Sequence, residues 1–196
     1  MLEVGCGRGE LARSLDGAGY DVTAIDPAAP EGAIFRRIKL QDLEENARFD
    51  AVVAAGVFHH MGEGLEPNVD RVAAALERGG PFVVDEFAPD RLDASTADWY
   101  ERQRRALAAA GRQNDRPDAR EWQAHHASVT GSEELLRAFR RRFDELVYED
   151  LPYLWRYLDG VASAELEQTL VAAGAIRPLA FRFVGIPRRN GPLNNV

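Results

Sequence analysis

The sequence predicts an α/β protein with a doubly wound, mostly parallel sheet covered by helices on both faces. Three observations carry this. A glycine-rich turn, Gly5-Cys6-Gly7-Arg8-Gly9, separates a short apolar run from a helix-prone segment. Apolar runs of strand length then alternate with segments of helical period as far as Phe87. An acid, Asp26, closes the second run 21 residues after Gly5.

The elements follow in order. Met1 to Val4 reads as a very short first strand ended by the glycine turn. The next helix places Leu11, Leu15 and Ala18 on one face, and Gly17 and Gly19 punctuate its end. Tyr20 to Ile25 is a second strand stopped by Asp26-Pro27, and Ala33 to Ile38 a weaker third, interrupted by Arg36 and Arg37. Phe49 to Ala54 is an apolar run of the kind buried on both faces of a parallel sheet. Asn68 is expected to cap a helix carrying Val69, Val72, Ala73 and Leu76, closed by Gly79-Gly80. Pro81 to Phe87 is strand five.

Beyond Pro89 the pattern changes. From about Asp93 to Asp144 the chain is polar, rich in arginine and helix-prone, and reads as two or three helices between strands five and six. Leu146 to Tyr148 is a short sixth strand. Ser163 is expected to cap a helix through Leu166, Leu170 and Ala173 to Gly174, and Ile176 to Ile186 reads as the last strand.

Composition narrows the partners. The 196 residues suit one domain with a real core, and 45% hydrophobic with 29% charged residues is a soluble globular balance. A net charge of −8 disfavours nucleic acid and anionic membrane as general partners. The single cysteine, Cys6, excludes an intramolecular disulfide and suits a cytoplasmic setting. No run approaches the ~20 apolar residues of a membrane span, and no leader precedes the first motif.

The glycine turn lets backbone approach a ligand closely at a helix N-terminus. A dinucleotide fingerprint needs a glycine three positions after the second one. Here that position is Glu10, whose charge would face a pyrophosphate, so a nicotinamide cofactor is disfavoured. Asp26 stands where a carboxylate accepts ribose hydroxyls. The competing reading is an ordinary Asp-Pro turn.

Taken together, these segments resemble the class I methyltransferases that use S-adenosylmethionine. Leu2-Glu3-Val4-Gly5-Cys6-Gly7-Arg8-Gly9 looks like their first motif and Ala24-Ile25-Asp26-Pro27 their second. Gln41-Asp42-Leu43 resembles the third, and Phe49 to Ala54 through Phe58-His59-His60 the fourth. Arg78-Gly79-Gly80-Pro81-Phe82-Val83-Val84 looks like the helix-to-strand turn that follows. The resemblance covers residues 1 to about 88; the C-terminal third fits only in outline.

The resemblance implies a three-layer Rossmann-like sheet, with a last strand antiparallel at the sheet edge and a helical insert after strand five. It implies one methyltransferase domain over 1–196, with 89–145 as insert or cap. Gly5, Cys6 and Gly7 would present backbone to the methionine part of the cofactor, and Glu3 would support the loop and the amino end. Asp26, followed by Pro27, would hold the ribose. Asp42 and the Leu43 N–H would read adenine, and Ala55 and Phe58 would line the sulfonium side. Family members usually carry a helix before strand one. Here Met1 begins the strand itself, so either the start is late or the inserted helices take over the covering role.

Methyl transfer needs alignment more than a dedicated catalytic group, and a base only where the acceptor loses a proton. His59 and His60 after strand four, and Asp85 and Glu86 at the end of strand five, are the candidate bases. Local packing, a strand-end turn or an ion pair are the alternatives. His125 and His126 lack the spacing of a metal site, and no metal is expected. Trp99, Tyr100, Trp122, Tyr153, Trp155 and Tyr157 are candidates for an acceptor wall or for simple helix packing. The expected acceptor is a small molecule. A cofactor-holding regulatory module without catalysis is the alternative function. The acceptor's identity, the methylated atom and the oligomeric state stay open.

Overall fold

The structure is a computed structural model that describes residues 1–188 except 45, 47, 113–115 and 159–160. Seven strands form one sheet: β1 (Leu2–Val4), β2 (Thr23–Ile25), β3 (Phe35–Arg36), β4 (Val52–Ala55), β5 (Phe82–Phe87), β6 (Phe143–Leu151) and β7 (Ala180–Pro187). Their order is β3-β2-β1-β4-β5-β7-β6. The first five run parallel, and β7 pairs antiparallel with both β5 and β6. The last strand is therefore antiparallel as expected, but it lies inside the sheet, and β6 forms the edge. β6 is also longer than the three apolar residues suggest. It pairs with β7 along its whole length on one side only, so its outward side chains need not be apolar.

Six helices accompany the strands: α1 (Glu10–Gly17), α2 (Leu65–Ala75), α3 (Ala94–Ala109), α4 (Ala119–His125), α5 (Ser132–Arg142) and α6 (Val161–Ala172). Several sequence expectations shift here. In α1 the fully buried residue is Ala12, while Leu11 is exposed. Asn68 lies inside α2 rather than capping it, and its amide donates to the Gly64 carbonyl at 2.8 Å. Ser163 likewise falls inside α6, whose fully buried residue is Glu167, not its leucines.

The main core lies between the sheet and the α2–α5 layer. Val52, Phe82, Val84, Phe181 and Phe183 meet Val69 and Val72 of α2 and Leu135 and Phe139 of α5. Phe139 packs edge-on against Phe58 and Phe82 at 5.4 and 5.5 Å. Each such ring contributes about 1.5–3 kcal/mol by burial. A smaller cluster under α1 holds Cys6, Ala12, Val22 and Ala24. A third cluster joins Phe87, Tyr100, Trp122, Leu154, Leu158 and Leu179. Within the 89–145 stretch, then, α5 packs into the main layer, while α3 and α4 contribute Tyr100 and Trp122 to this third cluster beside the carboxyl end of β5. No helix among the described residues is long and apolar enough to cross a membrane.

Candidate active site

The carboxyl ends of β1, β2, β4 and β5 converge on one side of the sheet. Gly5 leaves β1 at φ +73°, and a Cβ there would stand 2.3 Å from Val57 Cγ2. Glycine is required by both the left-handed backbone and that close approach. The Gly5 and Cys6 N–H groups donate to the Ile25 carbonyl at 2.8 and 3.2 Å, which ties the loop to β2.

Asp26 completes this join. Its Oδ2 accepts from the Gly7 N–H at 3.1 Å and its Oδ1 from the Ala28 N–H at 2.7 Å. A carboxylate has about four acceptor positions, so each oxygen keeps capacity for a hydroxyl. Pro27 beside it is exposed. Asp26 and Pro27 line a cleft of about 370 Å³ together with Gly5, Gln41, Val57 and His60.

Glu3 is buried just ahead of the loop. Its Oε2 has no partner, and the Ala12 N–H donates to the carboxyl. Burial pushes its pKa above the usual carboxylate range, only partly opposed by that N–H, and Asp26 adds to the rise. The Cys6 thiol, buried near Glu3 and Asp26, is pushed up to about 11 and stays protonated at neutral pH.

Two expected cofactor contacts are placed differently. Asp42 is exposed on the turn Leu40–Asp42, and Gln41 is the residue of that motif that lines the cleft. The Leu43 N–H already donates to the Leu40 carbonyl at 3.2 Å, closing the 3-10 turn, and its side chain is buried in the core. Phe58 also turns inward. It follows β4 in a short 3-10 turn, Phe58–His60, and its ring packs 5.5 Å from Phe82 in the core, so Val57 takes the cleft position.

Glu86 is buried and fastens this turn. Its Oε1 accepts from the Val57 and Phe58 N–H groups at 2.7 and 2.5 Å, and its Oε2 contacts His59 Nδ1 at 2.7 Å. With two N–H groups on Oε1 and His59 against Oε2, Glu86 holds the turn in place. Asp85 is engaged too: Arg182 donates to both its oxygens at 2.7 Å. His59 is buried, its ring 4.6 Å from Phe87 and 4.0 Å from His60. His60 is exposed to the cleft, and burial together with neighbouring His59 lowers its pKa, leaving it neutral at pH 7.

A second pocket of about 250 Å³ lies beyond the β4 turn, with Ala55, Gly56, Asp85, Phe87, Tyr153 and Arg156 around it. Tyr153 stacks on Phe87 at 5.0 Å with planes 23° apart. The turn that carries Tyr153 is held by Glu167, which accepts the N–H groups of Tyr153, Leu154 and Trp155 at 2.7 to 3.0 Å. Tyr100 and Trp122 are fully buried and pack the helical layer above, as does half-buried Trp99. Glu167, Arg156, Arg182 and Val57 were not singled out by the sequence, where charged residues read as solvated surface. The only signal for Arg156 is its place inside the aromatic run Tyr153 to Tyr157. Among the described residues no group of three or more His, Cys, Asp or Glu side chains could hold a metal ion.

This sheet order, with the glycine loop at the end of β1, is that of the Rossmann-like methyltransferase fold. The methyltransferase-domain family matches residues 1–143, and the chain belongs to that family. It is 30% identical over 97 residues to the ubiquinone biosynthesis O-methyltransferase of Bradyrhizobium sp. (strain ORS 278), covering 43% of this chain and 38% of that protein. The chain thus spans well under half the length of that relative. An S-adenosylmethionine-dependent methyltransferase from Mesorhizobium loti superposes with a TM-score of 0.59 at 18% identity, covering 95% of this chain and 90% of that one. The 1,6-didemethyltoxoflavin-N1-methyltransferase of Burkholderia thailandensis, solved with S-adenosylhomocysteine, gives a TM-score of 0.57 at 15% identity over 96% and 70%.

The residues present fit the cofactor. Asp26 keeps acceptor capacity on both oxygens, and the buried Glu3 Oε2 is an acceptor without a donor. A Cβ at Gly7 would meet nothing within 4 Å, so the loop backbone is open to a ligand.

Proposed function

We propose that this chain transfers a methyl group from S-adenosylmethionine to a small-molecule acceptor held beside Ala55. The observation that carries the reading is Asp26, braced by the Gly7 and Ala28 N–H groups at the rim of a cleft over the strand ends. Asp26 would hold the ribose, Gln41 would face the adenine end, and Glu3 would support the amino end. When bound, S-adenosylmethionine supplies a methyl carbon on a sulfonium and departs as S-adenosylhomocysteine.

The chain's own contribution is alignment, exclusion of water and, where the acceptor carries a proton, its removal. Glu86 Oε2 stands 2.7 Å from His59 Nδ1, so in the tautomer that donates there, Nε2 is the nitrogen left free to accept. His59 Nε2 would take the acceptor's proton, and the Glu86 carboxylate would offset the charge that the imidazolium gains. His60 would line the wall between the two pockets. The relatives named for ubiquinone biosynthesis and for 1,6-didemethyltoxoflavin support a small-molecule acceptor.

Titration calorimetry with S-adenosylmethionine, S-adenosylhomocysteine and NAD separates the readings. The proposal requires both sulfur ligands to bind and NAD not to. A folded protein that binds neither sulfur ligand overturns it, and binding with no transfer across a broad acceptor screen favours a regulatory module.

A further inference from the structure

The pocket beside Ala55 has a chemistry of its own. We propose that it takes a planar aromatic acceptor bearing an anionic group, a carboxylate or an ionised phenol, and that Arg156 selects it. The inference rests on the methyl-transfer reading above and names the acceptor class.

Shape comes first. Phe87 and Tyr153 lie nearly parallel along one side, while Ala55, Gly56 and Ala180 keep the pocket free of bulky side chains. At about 250 Å³ it is small for a ligand pocket and suits one substituted ring rather than a polymer or a long chain. Stacked on each other, the two rings make one aromatic side, against which a flat guest packs.

Charge comes second. Four charged side chains line the pocket or stand behind its lining: Asp85, Glu86, Arg156 and Arg182. Asp85 is neutralised by the two bonds from Arg182. Glu86 is buried and spends its oxygens on Val57, Phe58 and His59. Arg156 is exposed, lines the pocket, and has no carboxylate within ion-pair distance among the described residues. Among the described residues that line this pocket, the guanidinium is the charge left to meet a guest. Its planar donor fork matches a carboxylate in two parallel bonds.

Position comes third. The guanidinium lies 4.8 Å from the Trp155 ring and 5.6 Å from the Tyr153 ring, which hold it by cation–π contact. The backbone beneath it is clasped by Glu167, whose carboxylate accepts three successive N–H groups from Tyr153 to Trp155. A long, flexible side chain is thereby anchored on a fixed turn, which lowers the entropy lost on binding.

The experiment uses the whole chain loaded with S-adenosylhomocysteine, after titration with that ligand alone. Salicylate, catechol and benzylamine are then titrated as anionic, uncharged and cationic ring probes, into the parent, Arg156→Gln and Arg156→Lys. Salicylate is expected to bind best. Arg156→Gln should lose roughly tenfold or more of that affinity, the scale of a charge-assisted hydrogen bond. Arg156→Lys should retain part of it, since lysine keeps the charge but not the fork. Affinity for S-adenosylhomocysteine should be unchanged in both variants, which shows them folded. Salicylate binding that is absent in the parent or unchanged in Arg156→Gln overturns the proposal, as does tighter binding of benzylamine. If the parent fails to bind S-adenosylhomocysteine in the first titration, it is the methyl-transfer reading that fails, and the acceptor assignment falls with it.

Discussion

Glu86 of β5 and His59 of the turn after β4 meet at 2.7 Å, Oε2 to Nδ1, with both side chains buried. The same carboxylate takes the N–H groups of Val57 and Phe58. One buried acid therefore shapes the turn that walls the cleft and fixes which imidazole nitrogen carries the proton. Where the carboxylate accepts, Nδ1 donates.

Glu86→Gln tests this clasp. The amide oxygen can keep the Val57 and Phe58 N–H groups, but the amide nitrogen only donates, so the contact with His59 survives only if Nδ1 gives up its proton and the ring takes the other tautomer. Urea unfolding should show a loss of about 0.5–1.5 kcal/mol, the scale of one hydrogen bond weakened as the ring is forced into the other tautomer. Affinity for S-adenosylhomocysteine should change much less, because Glu86 faces the other side of the turn from Asp26 and Gly7. A variant as stable as the parent contradicts the clasp.

Gly5→Ala probes the contact between the loop and Val57. The φ of +73° costs a non-glycine residue about 1–2 kcal/mol, and the added Cβ collides with Val57 Cγ2 as well. Unfolding should report a loss above that backbone cost. Adding Val57→Ala should recover the collision part and leave the backbone part. If the double variant recovers nothing beyond what Val57→Ala does alone, the collision is not where the geometry puts it.

The alternation of strand and helix up to Phe87 is legible because both periods are local properties of the chain. The glycine loop and Asp26 are legible for the same reason, since each needs one residue type at one backbone position. The misreadings have a different origin. Phe58 and Val57 differ by one place in a 3-10 turn, and only the core ring cluster of Phe82 and Phe139 decides which one turns inward. In the Asp42 motif the turn closes on its own N–H groups, which local sequence does not reveal, and Gln41 is the residue of it that lines the cleft. The place of β7 between β5 and β6 depends on pairing between distant segments. Glu167 looks like a surface acid until the N–H groups it satisfies are seen.

Glu3→Gln has a pH signature. The folded pKa of Glu3 is raised, chiefly by burial. The folded state then binds its proton more tightly than the unfolded state does. Stability from this group is full below the unfolded pKa, about 4.3, and is lost as pH rises through the raised folded value. Glutamine has no such loss, so the stability of Glu3→Gln relative to the parent should increase with pH across that window. Urea unfolding of both proteins on either side of the window checks this. A stability difference that does not vary with pH contradicts it.

The most direct test of the central claim is S-adenosylhomocysteine titration of the parent against Asp26→Ala. Asp26 joins β2 to the glycine loop through the Gly7 N–H and keeps acceptor capacity for the ribose. Asp26→Ala should weaken binding by about 1–3 kcal/mol while the protein stays folded. Binding as tight as the parent's would contradict the assignment of this cleft as the cofactor site.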